Sequence, residues 1–386
     1  MTSFGPALRS RWSLDPEVTF LNHGSFGACP NDVRAAQRRW QDALEAEPVR
    51  FFVDEAPAAI RLAAGVVAGF LGADPDGLVF VDNATTGAGA VIGSFDWGPG
   101  DAVVTTSHAY GAVDRALAHH AARRGARVVL APVPFPLSGP DEVVDAVTRT
   151  LAATADVRLL VVDHVTSFSG LVWPIARLVA AARAAGVPVL VDAAHAPGLV
   201  PVDITALAPD FWTGNLHKWV FAPKGCAALY VAPQWRDRVH SPVISHGYGQ
   251  GLFAEFDFTG TRDPSPWLAA PDAIAFFEAL GVEALRAWQK SQCEAGVQLL
   301  TEAWGVEAPA PPSMRAAMAT LPLPLAVPAT LEALAAVRRR LLGVYGIEVP
   351  VFPWGGKAWL RISAQVYNDL DAVQRLATAV RTERDA

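Results

Sequence analysis

Val187-Pro188-Val189-Leu190-Val191-Asp192-Ala193-Ala194-His195-Ala196-Pro197-Gly198 and Phe211-Trp212-Thr213-Gly214-Asn215-Leu216-His217-Lys218-Trp219 each run from an apolar stretch into polar residues. A strand covered on both faces reads as such a continuous apolar run. In an open α/β sheet, ligands bind beyond the carboxyl ends of the strands. Working outward, similar strand-length runs occur at Leu78–Val81, Ala102–Thr106, Arg127–Val133, Arg158–Asp163 and Cys226–Val231. Helical patterns fill the gaps at Ala84–Ser94, Tyr110–Arg124, Asp141–Thr154 and Trp173–Ala185. Alternation of this kind predicts an α/β fold whose mostly parallel sheet, of the seven-stranded type, is covered by helices.

Beyond this region, Pro271–Leu280 and Val282–Trp304 read as long connecting helices, and the Pro-rich stretch Ala308–Pro312 marks a boundary. After it come a strand pattern at Ala316–Leu321, a helix at Leu331–Leu342, strands at Ile347–Phe352 and Ala358–Ser363, and a last helix from Asp369 to about Arg381. The expected organisation is an N-terminal segment (1–30), a large domain (31–270), connecting helices (271–306) and a small C-terminal α+β domain (307–386).

Composition narrows the function. A net charge of −7 without a basic run argues against nucleic-acid and anionic-membrane partners. No stretch reaches the roughly 18 apolar residues of a spanning helix. Met1–Asp15 lacks the apolar core of an export signal, so the expected location is the cytoplasm. Cys29, Cys226 and Cys293 are too far apart for a disulfide framework or a metal cluster, and no metal is expected.

Three strand ends carry the chemistry. Asn83-Ala84-Thr85-Thr86-Gly87 opens a helix, where backbone N–H groups and hydroxyls can hold a phosphate; an ordinary N-cap is the alternative. Asp192, with His195 three residues on, is an acid at a strand end, which metal, phosphate, pyridine or purely structural roles would all suit. Lys218 follows an apolar strand beside His217 and Trp219, and a desolvated lysine becomes a nucleophilic amine. Phosphate cradle, acid and lysine in this order meet the needs of pyridoxal 5′-phosphate (PLP). The lysine forms a Schiff base, and the acid keeps the pyridine nitrogen protonated.

With Leu21-Asn22-His23-Gly24-Ser25-Phe26-Gly27, Gly260-Thr261-Arg262-Asp263 and Arg361-Ile362-Ser363 added, the chain resembles the class V aminotransferase-fold (fold type I) PLP enzymes, and within them the isopenicillin N epimerase-like group. The resemblance spans nearly the whole chain. It implies that Thr85 and Thr86 hold the cofactor phosphate with His217 and Asn215, and that Asp192 meets the ring nitrogen. It places His195 and Ser167 near the ring hydroxyl. Tyr110, with His108 as the rival, stacks on the ring. Arg361 clamps the substrate carboxylate, and Asn22, His23 and Ser25 line the substrate side. Thr261 serves the neighbouring protomer's cofactor, which implies a homodimer with shared sites.

The expected reaction starts with loss of a Cα proton from an amino acid or a derivative, Lys218 acting as base. Epimerisation is the first reading and needs an acid across the ring, for which Tyr110 or His108 is the candidate. A C–S lyase acting on a cysteine conjugate or sulfoxide is the alternative, as in ergothioneine-pathway lyases. Transamination comes third, and a non-catalytic scaffold would have no use for Lys218, Asp192 and Arg361 together. Cysteine desulfurases of this fold carry a mobile cysteine in the C-terminal third, where this chain has none after Cys293.

Overall fold

The computed structural model describes residues 4–385. Its strands are β1 (Thr19–Phe20), β2 (Leu78–Val81), β3 (Ala102–Thr106), β4 (Arg127–Ala131), β5 (Val157–Asp163), β6 (Val189–Asp192), β7 (Phe211–Asn215), β8 (Ala227–Val231), β9 (Met318–Pro322), β10 (Ile347–Glu348), β11 (Val351–Trp354) and β12 (Lys357–Ser363). Seven of them form the central sheet in the order β2-β8-β7-β6-β5-β3-β4. β8 runs antiparallel to both β2 and β7, and the other neighbours are parallel.

The apolar runs exist because both faces of this sheet are covered. Side chains alternate along a strand, and here each alternate set enters a different core. Leu160, Val191 and Trp212 pack into one cluster, while Leu159, Leu190 and Phe211 pack into another on the opposite face. The second cluster also takes Ala88 and Val91 from the helix Ala84–Ser94, and Val113 and Leu117 from the helix Gly111–Arg124. A side chain with the parity of Leu190 therefore points under those two helices.

Past the long helix Val282–Trp304, a second, antiparallel sheet has the order β11-β12-β9 and a core of its own, including Leu321, Leu341, Leu360 and Ile362. One expectation from the sequence is corrected here. Ile347–Phe352 is two strands, not one: β10 pairs in parallel with β1 from the N-terminal segment, and β11 pairs with β12. The break falls at Val349-Pro350, where proline has no N–H to give to a ladder. Residues 21–27, which follow β1, pack against the segment just past β7 of the central sheet. Among the described residues, no helix is long and apolar enough to cross a membrane.

Candidate active site

A cavity of about 510 Å³ lies beyond the carboxyl ends of β2, β5, β6 and β7. Lys218, three residues past β7, is buried in it, with Nζ 3.1 Å from His195 Nε2. The indole N–H of Trp219 can only donate, and it reaches His195 Nδ1 at 3.4 Å. A neutral His195 therefore carries its proton on Nε2, facing the lone pair of the Lys218 amine. Burial, followed by the nearby Arg361 charge, lowers the Lys218 pKa to about 7, with Asp192 pulling the other way. Burial and the Lys218 charge also hold His195 well below the usual imidazole range, so it is neutral.

The N-terminal segment fixes the backbone that presents this lysine. His23 Nε2 donates to the Lys218 carbonyl at 3.0 Å, and His23 Nδ1 accepts from Tyr367 Oη at 2.7 Å. Burial pushes the His23 pKa down to about 3, leaving it neutral for both bonds. Gly27 packs directly on this backbone with φ 69°; a Cβ there would strike the His217 carbonyl and come within 2.9 Å of Lys218 Cα. Only glycine meets both demands at low cost.

Asp192, the last residue of β6, is 4% exposed and lines the cavity; one oxygen accepts the Ala194 N–H at 3.0 Å. Burial raises its pKa, opposed by that bond and by Lys218. At another wall the helix Ala84–Ser94 begins. Its cap is double: Asn83 Oδ1 accepts from Thr86 N at 2.9 Å, and Asn215 Oδ1 accepts from Ala84 N at 2.8 Å. With those two donors taken, Thr85 is the exposed first-turn residue facing the cavity. His217 lines the same region, its Nδ1–H donating to the Cys226 carbonyl at 2.9 Å. Burial lowers its pKa to about 4, so Nε2 is a free, neutral acceptor.

Arg361, on β12, reaches across from the second sheet. One Nη donates to the Ser167 carbonyl and the other to Ser25 Oγ at 3.2 Å, while the buried Nε has no partner. Ser25, Ser167 and Tyr110 line the cavity. A buried guanidinium with an unused donor, beside the Ser167 hydroxyl, is suited to a carboxylate. Burial lowers its pKa to about 10, which leaves it charged at neutral pH.

The expected site residues do not all meet. His108 lies behind the cavity: its Nδ1 bonds Ser169 Oγ at 2.8 Å, and its ring packs against Trp173, Phe135 and Trp354. Tyr110, at 39% exposure, stands in the cavity wall instead. Asn22 and His23 also sit behind it, Asn22 bonding Ser25 Oγ at 2.5 Å and Glu348 at 2.9 Å. The Thr86 hydroxyl is turned to Asn83. Thr261 is exposed and away from this chain's own cavity. Lining residues not picked out as site residues from the sequence include Phe26, Asp82, Asp163 and Lys224. Asp163 ends β5 as Asp192 ends β6, so alignment of the strand ends was the signal that could have found it.

These residues fit PLP: a buried amine of lowered pKa, an acid at the cavity floor, and a capped helix start with an open threonine lie around one space. Residues 43–376 match the family described as Aminotransferase class-V. The chain belongs to that family. It is 36% identical over 394 residues to the probable chloroplastic L-cysteine desulfhydrase of Arabidopsis thaliana, covering 95% of this chain and 83% of that one. To the isopenicillin N epimerase of Amycolatopsis lactamdurans it is 34% identical, over 97% of both chains. A solved C-DES variant with glycine covalently linked to its PLP cofactor has the same fold, with a TM-score of 0.78 and 19% identity over 96% of this chain and 98% of that one. The class V enzyme described here is PLP-dependent.

Proposed function

We propose that this enzyme is a C–S lyase that removes the Cα proton of a cysteine-type amino acid and expels its sulfur substituent. The observation that carries the first step, loss of the Cα proton, is the buried pair of Lys218 Nζ and His195 Nε2, 3.1 Å apart. Lys218 would carry the cofactor and, once freed by substrate, act as the base at Cα; His195 would keep its amine unprotonated. When bound, PLP supplies the electron sink for the charge left at Cα. Asp192 would hold the ring-nitrogen proton, Thr85 and the helix start behind it the phosphate, Tyr110 the ring face, and Arg361 with Ser25 and Ser167 the substrate carboxylate.

Two further observations favour elimination. The relative at 36% identity is a cysteine desulfhydrase by name. Among the described residues no cysteine is placed to carry sulfur: Cys226 and Cys293 are fully buried, and Cys29 lies outside the cofactor cavity, where burial raises its pKa to about 11. Sulfur then leaves as free thiol or sulfide. With L-cysteine and water the products are pyruvate, ammonia and sulfide, in equal amounts and without an oxidant.

Epimerisation is the second reading, favoured by Tyr110 in the cavity wall, a proton donor available to the substrate. The test is incubation with L-cysteine and cysteine conjugates in deuterated water, followed by product and chiral analysis. Pyruvate with sulfide or thiol supports the lyase. A deuterated D-amino acid without pyruvate replaces it with the epimerase. A homodimer is proposed with the same site, because Thr261 faces outward beside an apolar hollow lined by Phe52, Val53, Phe253, Phe258 and Trp267.

A further inference from the structure

Asp163 is a buried carboxyl of the cavity to which the chemistry above gives no task. It and Asp192 are register partners at the ends of the neighbouring parallel strands β5 and β6. Leu159 and Val161 precede it at even spacing, as Leu190 precedes Asp192, and all three pack into the same cluster. Both carboxyls therefore leave the sheet on one face, from strands about 4.8 Å apart. Each is 4% exposed and lines the cavity. Among the described residues, no side chain hydrogen-bonds to Asp163.

Two carboxylates this close and out of water do not both ionise; one holds a proton. Their surroundings decide which. Asp192 accepts the Ala194 N–H, which favours its ionised form, and would face the ring-nitrogen proton when the cofactor is bound. Asp163 has burial, Asp192 and then Asp114 of the helix Gly111–Arg124 against its ionisation, opposed only by its own backbone N–H. Asp114 itself has a buried oxygen without a partner. The remaining charged or titratable groups of the cavity, Asp82, Tyr110, His195, His217, Lys218 and Lys224, give Asp163 no hydrogen bond.

We propose that Asp163 is a positioning residue for the cofactor, a neutral carboxyl whose O–H donates to the ionised Asp192 and holds it facing the ring nitrogen. The assignment rests on Asp192 being the ring-nitrogen partner. The floor of the cavity then carries one negative charge, matched to one ring-nitrogen proton.

The test is infrared spectroscopy of the holoenzyme at pH 8, above the pKa of about 6 to which burial raises Asp114. A C=O stretching band of a protonated carboxyl is expected in the wild type and in Asp114→Asn, and its absence in Asp163→Asn. Survival of the band in Asp163→Asn overturns the proposal. Asp192→Asn reads the pair from the other side: loss of the neighbouring charge should lower the pH at which the band disappears by about one unit or more. An unmoved midpoint also overturns it. If the Asp192 reading alone fails, Asp192→Asn leaves the visible absorption of the bound cofactor unchanged while the Asp163 band still behaves as stated. Titration of each variant with PLP completes the test. Asp163→Asn, which keeps a neutral donor, should bind as wild type, and Asp163→Ala roughly tenfold more weakly or worse. Equal affinity in all three overturns the positioning role.

Discussion

Replacing Arg361 with alanine isolates one contact of the proposed mechanism. The guanidinium is 4% exposed, its Nε is unpartnered, and one Nη holds only the Ser25 hydroxyl at 3.2 Å. The unpartnered Nε, and the Nη on Ser25 once that hydroxyl yields, are the two donors a carboxylate would take. Each hydrogen bond to a charged group is worth about 1.5–3 kcal/mol. Loss of two amounts to about 3–6 kcal/mol, or roughly a 10²- to 10⁴-fold fall in kcat/KM at about 1.4 kcal/mol per decade. The carboxylate is held alike in ground and transition states, so most of the loss belongs in KM. Arg361→Lys keeps the charge but not the fork, and should lie between the two. The assay compares L-cysteine with cysteamine, which lacks the carboxylate. The wild type should discriminate strongly, and Arg361→Ala by less than about tenfold. A variant that loses as much on cysteamine as on cysteine, or loses kcat at unchanged KM, refutes the clamp.

Lys218 links pH to stability in the cofactor-free protein. Its pKa falls from 10.5 to about 7 on folding, so between those values the unfolded chain holds a proton that the folded chain does not. Its contribution to stability therefore rises with pH through that window, by at most about 1.4 kcal/mol per unit. Thermal melts at pH 7 and 9 should show wild type gaining on Lys218→Met, and parallel changes would refute the shift. Gly27→Ala should both destabilise, by about 1–3 kcal/mol, and cut activity, because the Cβ meets the backbone that presents Lys218. A melt and activity equal to wild type would show that the contact relaxes freely. Mixing Lys218→Ala with Thr261→Arg protomers should restore part of the activity, since one site in each mixed dimer keeps both residues. No recovery, or a monomer in sedimentation, ends the shared-site proposal.

The central sheet was legible because burial on both faces leaves an unmistakable mark, as in Val189–Val191 and Phe211–Trp212. Lys218 and Asp192 stood out for a related reason: polar residues immediately after such runs are costly unless they have work to do. Side-chain direction was not legible. Asn22, His23 and Ser25 are adjacent in sequence, yet only Ser25 turns into the cavity, because the short helix His23–Phe26 rotates its neighbours away. His108 and Tyr110 are separated by the same kind of turn, just before the helix Gly111–Arg124. Asp163 reads as the end of one more strand until register sets it beside Asp192. The split at Pro350 was hidden by partners more than three hundred residues away.

Those distant partners set an order of events in the life of the chain. Ser25 meets Arg361 across 336 residues, and β1 has no strand to pair with until β10 exists. At roughly 5–20 residues per second, synthesis keeps these halves apart for on the order of tens of seconds. During that interval the strands of the central sheet can pair, but His23, which holds the Lys218 carbonyl, still lacks its own partner Tyr367. The two sides of the proposed carboxylate site thus come from opposite ends of the described chain, and neither can hold a substrate before the other has been made.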